Sequence, residues 1–417
     1  MVYETRIKIG IAINYMNNKV NLKYIMFLIL CLLLIYGIWY FNNSIQTSKY
    51  IEPEIVATHY NGSNFVPSET CLECHADIYN SHLKTAHFNT SSTAEKEHIK
   101  ASFKEGSNVL NLKGVKLKML EENDEYFQVS QPKFGDVGTI KSKIDVVIGS
   151  GVKGQSFLSW QDENLIQLQA SYFQPTGSWV NSPNFPDYSL NRKVDDNCLK
   201  CHVTFAKNEN ESGMGNSYDR SKMILGIDCQ RCHGPSEKHV KYHRQNPEAV
   251  IGEFVDSYES YTRQQRLDAC AVCHSGLQGQ QIKGNPFSFL AGDTLSLYSK
   301  NYKNINSKIK LDVHGNQMGL LSESECFVNS PKMDCLTCHD PHKNQRAEMN
   351  IFNSKCLTCH DSNKVNSLSK NHIHDNQQNC VSCHMPLIPS EVMKLKLEND
   401  SQEVPVYIRT HLIGIYN

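Results

Sequence analysis

The residues of this chain that could do chemistry are pairs of cysteines two residues apart, each followed at once by a histidine. This CxxCH pattern occurs seven times and contains 14 of the 16 cysteines. A single copy would fit half of a zinc site, a redox-active thiol pair or the attachment point of a larger cofactor. Numbered along the chain as motifs 1 to 7, the copies are Cys71, Cys74 and His75; Cys198, Cys201 and His202; Cys229, Cys232 and His233; Cys270, Cys273 and His274; Cys335, Cys338 and His339; Cys356, Cys359 and His360; and Cys380, Cys383 and His384.

The histidine that closes every copy decides among these possibilities. A zinc ribbon takes four tetrahedral ligands from two CxxC pairs and has no use for a histidine directly after the second cysteine. A thioredoxin-like thiol pair is expected once in a βαβ unit, and no βαβ pattern is visible. Haem c explains every position, because the two thiols add to the porphyrin vinyl groups and the imidazole then lies under the iron. The sequence therefore predicts seven covalently bound haems c, with the motif histidines as proximal iron ligands.

Each haem iron has a second axial position, and eleven histidines outside the motifs could fill it. His239 heads a helical segment, with His243 one turn further as its rival, and His342 follows its nearest motif too closely to reach the same iron. We expect histidine ligation in preference to Met318 or Met385. The candidate distal ligands are His87, His239, His314, His342, His374 and His411, with His372 as an alternative to His374, while His59, His82 and His98 are expected to be structural or exposed.

Charge and hydropathy indicate where the protein resides. The 417 residues include 42 basic and 43 acidic ones, a balance that gives no reason to expect a nucleic-acid partner. Tyr24 to Phe41 is an uncharged apolar segment long enough to cross a bilayer as a helix. The absence of an A-x-A cleavage pattern favours a retained anchor over a removed signal peptide. Because four basic residues precede the segment and only Lys49 closely follows it, we predict a single-pass protein of the cytoplasmic membrane with its haem domain on the periplasmic side.

The exported part is predicted to be mainly α-helical and irregular, with the haems themselves filling the interior, because seven cofactors leave too few residues for an apolar core around each. Alternating apolar residues predict a small β-rich insert at about 105–185. Within it, two strands should flank a polar turn at 162–164, and Ile166, Leu168, Ala170 and Tyr172 should share one face. The predicted organisation is a cytoplasmic tail at 1–23, an anchor at 24–41, a linker at 42–65 and a heptahaem domain at 66–417.

The motifs and their surroundings resemble those of a known group of proteins. "CLECHADIYNSHLKTAHF", "IDCQRCHGPSEKHV", "MDCLTCHDPH" and "NCVSCHMP" followed by "RTHLI" are similar to multihaem c-type cytochromes related to cytochrome c-554, a superfamily that includes hydroxylamine oxidoreductase and the pentahaem nitrite reductases. The resemblance implies stacked haem pairs in a mostly helical and irregular scaffold. It also implies that the distal ligands include His87, His239, His342 and His411. No CxxCK motif, which supplies the catalytic lysine of pentahaem nitrite reductases, occurs here, so a catalytic role does not follow from the resemblance.

Two functions are compatible with these features. The favoured one is electron transfer between a quinol-side donor and a periplasmic or outer-membrane acceptor protein, which requires every iron to be six-coordinate and low-spin. The alternative is a reductase or other oxidoreductase acting on a small nitrogen or sulfur oxyanion, which needs one haem with an open distal face among acids and positive charges. The sequence predicts no catalytic residue, and Cys326 is expected to be a free buried thiol.

Overall fold

The computed structural model of this chain describes residues 22–39, 50–136, 138–210, 215–276, 279–300, 311–360, 379–397 and 403–416. The chain divides into two compact units, Met1–Glu52 and Pro53–Asn417. In the first unit, helix α1 spans Leu22–Trp39 and is long and apolar enough to cross a membrane. Such a helix near an N-terminus is found in membrane anchors and in signal sequences alike.

The second unit combines many short strands with short helices. The strands, in chain order, are β1 (Ala57–Thr58), β2 (Asn64–Phe65), β3 (Ser91–Thr93), β4 (Val109–Asn111), β5 (Val115–Glu122), β6 (Glu125–Pro132), β7 (Ile140–Ile144), β8 (Val146–Ile148), β9 (Gly154–Gln161), β10 (Asn164–Phe173), β11 (Ser178–Asn181), β12 (Arg192–Lys193), β13 (Val203–Phe205), β14 (Ile224–Leu225), β15 (Gln280–Gln281), β16 (Ser299–Lys300), β17 (Leu387–Lys396) and β18 (Glu403–Arg409). The helices are α2 (Leu72–His82), α3 (Asp196–Leu199), α4 (Cys229–His233), α5 (Glu237–Gln245), α6 (Arg263–His274), α7 (Gln317–Ser322), α8 (Glu325–Val328), α9 (Met349–Leu357) and α10 (Cys380–His384).

The largest sheet is a curled, eight-stranded half-barrel. Its strands follow the antiparallel order β18–β17–β11–β10–β9–β8–β3, and β12 also pairs with β10. The predicted hairpin around 162–164 is present as β9 and β10, with Asp162 at a φ of 55° in the turn. A register shift between Gln167 and Ser171 interrupts the strand. Leu168, Ala170 and Tyr172 accordingly share one apolar cluster, to which Ile166 does not belong.

Both faces of the half-barrel are buried. Alternate residues of a strand point to opposite faces, and Phe157 of β9 lies in one apolar cluster whereas the adjacent Leu158 lies in the other. The first cluster also contains Leu117 of β5, so it fills the space between the half-barrel and the four-stranded sheet β4–β5–β6–β7. The second contains Leu199 of α3 and Phe205 of β13, so it supports the segment that carries motif 2.

The prediction of a mainly α-helical and irregular scaffold is wrong, because the structure is 29% helical and 25% strand. The strands at 105–185 do not form a small insert: β4 to β7 make up the four-stranded sheet, and β8 to β11 belong to the half-barrel, which β3, β12, β17 and β18 extend from both sides of the sequence. Strands β17 and β18 contain Pro389 and Pro405. Because proline is uncommon within strands, the residue pattern did not indicate these two strands. The two apolar clusters also show that polypeptide, and not haem alone, forms a large part of the interior.

Two further features lie near motif 1. Helix α2 ends at His82, so His87 lies beyond the helix that contains His75. Strands β1 and β2 pair within the predicted linker at 42–65, and Phe65 is fully buried there.

Candidate functional site

Helical geometry brings the three residues of a motif to one surface. Positions i, i+3 and i+4 of a helix lie on the same face, so a helical CxxCH presents both thiols and the imidazole in one direction. Motifs 3 and 7 are themselves the short helices α4 and α10, and motif 4 forms the end of α6. All sixteen cysteines lie in the described residues, and each is a free thiol, as thioether formation requires.

Polar side chains directly before the first cysteine hold several motifs in place, and the sequence analysis overlooked them. Asp228 accepts a hydrogen bond of 2.9 Å from a backbone N–H of α4. Asp334 and Asn379 accept equivalent bonds of 3.2 Å at motifs 5 and 7. Aspartate and asparagine are favoured N-cap residues. An aspartate or asparagine directly before the first cysteine of a motif therefore indicates a cap in the sequence itself. These caps fix the first cysteine of a motif relative to the turn that follows.

Asp334 also joins motif 5 to motif 4. Its Oδ2 atom lies 2.6 Å from Nε of Arg266 on α6, and its side chain is only 8% exposed. We expect Asp334→Ala to lower the free energy of unfolding by about 3 kcal/mol, because the cap is lost and Arg266 is left partly buried without its partner. Denaturant titration of the purified protein, followed by Soret absorbance, measures the change.

A nearby exposed ion pair provides the control for this prediction. Lys343 lies 3.1 Å from Asp340, and the lysine side chain is 68% exposed. Lys343→Ala should change stability by less than about 1 kcal/mol, since exposed ion pairs contribute little. Equal effects of Asp334→Ala and Lys343→Ala would contradict the role given to Asp334.

Four motif histidines each face a histidine from another part of the chain. The ring centres within each pair are 6.1 to 6.3 Å apart. The pairs are His75 with His239 at 6.3 Å, His233 with His342 at 6.1 Å, His274 with His87 at 6.1 Å, and His339 with His411 at 6.2 Å.

This spacing fits a metal ion held between the two rings. A metal–imidazole nitrogen bond is about 2 Å long and the ring centre lies about 1 Å beyond the nitrogen, so two imidazoles on opposite sides of one ion have centres about 6 Å apart. Hydrogen bonds at Nδ1 also fit metal binding. Such a bond orients the imidazole ring and leaves its second nitrogen, Nε2, for the metal. Such bonds join Nδ1 of His202 to Thr90 Oγ1 at 3.0 Å, of His239 to the Glu253 carbonyl at 2.8 Å, of His274 to Gln317 Oε1 at 3.1 Å, and of His384 to the Gly414 carbonyl at 2.8 Å. The residues present therefore fit haem iron with two histidine ligands.

Three of the paired imidazoles have a pKa that favours the form that binds metal. Desolvation by the surrounding chain, together with the charge of the facing histidine, lowers the pKa of His87, His233 and His411 to about 4, although His87 and His233 keep exposed surface. An imidazole with a pKa of about 4 is neutral at pH 7, and only the neutral ring can coordinate.

Two further candidate ligands complete the set from the sequence. His314 lies close to His202: burial lowers the pKa of His202, and the charge of His314 lowers it further. His374 and its alternative His372 lie outside the described residues. The structure thus places four of the six candidate distal ligands opposite a motif histidine, and the charge of a fifth, His314, acts on His202.

The histidines that the sequence analysis set aside are held differently. Nε2 of His59 lies 2.8 Å from the Phe287 carbonyl, and Nε2 of His82 lies 2.9 Å from the Ile227 carbonyl. Nε2 of His243 accepts a hydrogen bond of 3.3 Å from a backbone N–H. These contacts engage the nitrogen that an iron would need, which separates His243 from its rival His239.

Thiols of different motifs contact one another and reveal which motifs are neighbours. Four pairs of thiols are near enough to shift the pKa of one another: Cys71 with Cys229, Cys201 with Cys273, Cys270 with Cys335, and Cys356 with Cys380. Between motifs 2 and 4 the Cys201 thiol also donates to the Cys273 carbonyl at 3.9 Å, and the Cys273 thiol donates to the Lys200 carbonyl at 3.4 Å. These contacts pair motif 1 with 3, motif 2 with 4, motif 4 with 5, and motif 6 with 7.

Aromatic residues connect the remaining neighbours. The Tyr258 ring lies 5.6 Å from that of His233, and its hydroxyl donates to the Cys232 carbonyl at 3.2 Å, close to Cys270 of motif 4. The Phe352 ring of α9 lies 5.2 Å from that of His339, so motif 6 follows motif 5 in space. Every motif is therefore a neighbour of at least one other motif. The motifs form one branched network, and motif 4 is its branch point because it adjoins motifs 2, 3 and 5.

Comparisons with known proteins show what the chain is similar to. Residues 170–234, which include motifs 2 and 3, match the family described as cytochrome c554 and c-prime. The crystal structure of the outer cell wall cytochrome OcwA is similar in fold, with a TM-score of 0.51 and 14% identity over 84% of this chain and 79% of that chain. No curated protein sequence matches significantly. The findings confirm the resemblance to multihaem c-type cytochromes and support covalently bound haem c, whereas they support the narrower superfamily only loosely.

Proposed function

We propose that this protein is a membrane-anchored heptahaem c-type cytochrome that transfers electrons through closely packed haems, most of which have two histidine ligands. The observation that carries the proposal is the set of four imidazole pairs, each spaced for one metal ion and each joining a motif to a distant segment. When bound, haem c supplies a one-electron iron couple.

The residues at motifs 1, 3, 4 and 5 favour electron transfer over catalysis. Two thioether bonds and the proximal imidazole would fix each porphyrin on its motif. At these four motifs a distal imidazole, such as His342 facing His233, would fill the sixth position and deny it to small substrates. Because the fold holds both imidazoles, the coordination would stay the same in both oxidation states and little reorganisation would oppose electron transfer.

The contacts between motifs support transfer over the whole domain. Because Cys71 and Cys229 lie close together, the two porphyrins attached through them would also lie close together. Electron transfer requires short distances between centres, and the series of neighbouring motifs meets this requirement without a gap among motifs 1 to 7. The number of seven haems rests on the seven CxxCH motifs.

Helix α1 and the charges around it support a location at the cytoplasmic membrane. The helix would anchor the chain, with the haem domain on the periplasmic side where haem c is attached. A quinol-side donor and a periplasmic or outer-membrane acceptor protein would then be the redox partners. The similar structure is described as an outer cell wall cytochrome, which is consistent with an extracytoplasmic haem domain here.

A haem count combined with a spin-state spectrum tests the proposal. The pyridine haemochrome assay of the purified protein should give seven haems c for each chain, and the ferric spectrum should be low-spin. A high-spin fraction that binds cyanide or nitrite in the unmodified protein would favour the reductase alternative. A colourless protein would exclude both.

A further inference from the structure

The four imidazole pairs differ in the angle between their ring planes. The planes are 10° apart for His233 and His342, and 16° apart for His75 and His239. The third pair, at motif 5, has an angle of 27°. In contrast, the planes of His274 and His87 are 68° apart, although their ring centres have the same separation as in the other pairs. The imidazole planes at motif 4 are therefore nearly perpendicular, whereas those at motifs 1, 3 and 5 are nearly parallel.

The orientation of His274 follows from a side-chain contact. Its Nδ1 atom lies 3.1 Å from Oε1 of Gln317, the first residue of α7. The segments that carry these two residues are tied together by a hydrogen bond of 2.8 Å from the Gly276 N–H to the Gly315 carbonyl. Because α6 and the segment leading into α7 are fixed to each other, the amide oxygen of Gln317 selects one rotation of the imidazole.

The facing ring is held by a separate part of the chain. The His87 carbonyl accepts a hydrogen bond of 2.9 Å from the Ile227 N–H, just before motif 3. The preceding Gly226 has a φ of 68°, and any side chain there would clash with the Phe88 carbonyl. This close approach fixes the backbone of His87. The Gln317 contact thus sets the plane of His274, while a different segment holds the backbone of His87.

The angle between axial imidazoles affects the electronic structure of a low-spin ferric haem. Each imidazole raises the energy of the iron d orbital with which its π system overlaps. Parallel rings act on the same orbital and split the pair, whereas perpendicular rings act on one orbital each and leave the two nearly equal in energy. A nearly equal pair gives a strongly anisotropic electron paramagnetic resonance signal at low field and stabilises the ferric state less.

We propose that Gln317 is a positioning residue that holds the axial imidazoles of the motif 4 haem nearly perpendicular and thereby makes the reduction potential of this haem more positive than parallel rings would. The haem that adjoins motifs 2, 3 and 5 is then the one on which electrons preferentially reside. Because the proposal presupposes bound haem, it rests on the function proposed above.

Low-temperature electron paramagnetic resonance of the fully oxidised protein tests the proposal. We expect a low-field, highly anisotropic signal together with rhombic signals from the parallel pairs. Gln317→Leu, which keeps the side-chain volume and removes the acceptor, should shift or abolish a low-field signal that accounts for one haem. Gln317→Glu keeps an acceptor and should keep that signal, while its potential in a redox titration becomes more negative because the carboxylate stabilises the ferric state.

Thr90→Val is the matched control, since it removes the Nδ1 partner of His202 at motif 2 and should leave the Gln317-dependent signal unchanged. A haemochrome count of seven in every variant shows that the haem content of the proposed function holds and that the variants are assembled. With that count unchanged, a spectrum that contains only rhombic signals, or a low-field signal that Gln317→Leu leaves unaltered, would overturn the role of Gln317. A count of zero would instead refute the proposed function.

Discussion

Replacing His411 by alanine should convert one haem of the seven from low-spin to high-spin and open its iron to cyanide or carbon monoxide. His411 is the ring that faces His339 of motif 5 at 6.2 Å. It is half-buried, and desolvation together with the charges of His339 and His274 lowers its pKa to about 4, so the variant would lose a neutral ligand. Optical spectra of the oxidised protein and a carbon monoxide titration of the reduced protein would give the number of converted haems.

Ser324 holds the backbone next to His411 in place, and replacing it should weaken the axial ligand without removing it. Ser324 is fully buried; its hydroxyl donates to the His411 carbonyl at 3.1 Å and accepts from the Ile413 N–H at 2.8 Å. Ser324→Ala removes both bonds but leaves the imidazole. We therefore expect only part of the motif 5 haem to become high-spin, and this fraction should increase on warming as the C-terminal segment detaches.

His98 provides the control for these variants. Its Nδ1 atom contacts the Thr93 carbonyl at 3.1 Å, and the sequence analysis gave it no ligand role. His98→Ala should retain the original low-spin spectrum. If His411→Ala also did so with all haems attached, His411 would not be an axial ligand, and the ring pairing would not report ligation at motif 5.

The residues of the site could largely be named from the sequence, but their partnerships could not. CxxCH is a local pattern, and its helical placement follows from residue spacing alone. Which distal histidine faces which motif depends on contacts between distant segments, such as that between His75 and His239. The roles of His59 and His82 were similarly hidden, because their backbone partners, Phe287 and Ile227, lie far away in the sequence.

The fold was less accessible than the site for a related reason. The strands at 105–185 show an alternating pattern that depends on near neighbours. Strand β17 joins the sheet through a pairing between Lys396 and Asn181, more than two hundred residues earlier. The residues near Lys396 in the sequence do not indicate such a pairing. Pro389, and a register shift between Pro389 and Lys394, also interrupt the alternating pattern by which a strand is recognised. Counting cofactors therefore overestimated the share of the interior that haem must fill.

The last prediction concerns the protein without haem. A chain produced in a host that lacks cytochrome maturation should keep its sheets folded and lose the structure of α6 and α9, which carry motifs 4 and 6. The cluster between the two sheets contains thirteen buried apolar residues, none of them from a motif. The cluster around α6 contains only six, too few to offset the conformational entropy of the short helices beside it. Hydrogen exchange should be slow in β5, β9 and β10 and fast in α6 and α9.

Two phenylalanines, one in each cluster, form a matched pair for this experiment. Phe157 is 1% exposed and belongs to the cluster between the sheets, whereas Phe289 is 3% exposed and belongs to the cluster around α6. In the haem-free chain, Phe157→Ala should remove the protection of β9, since truncating a buried phenylalanine costs about 3–5 kcal/mol. Phe289→Ala should have no effect there, because its surroundings are already unfolded. Equal protection of α6 and β9 without haem would mean that the cofactors contribute little to folding, and the division of the interior between polypeptide and haem would be wrong.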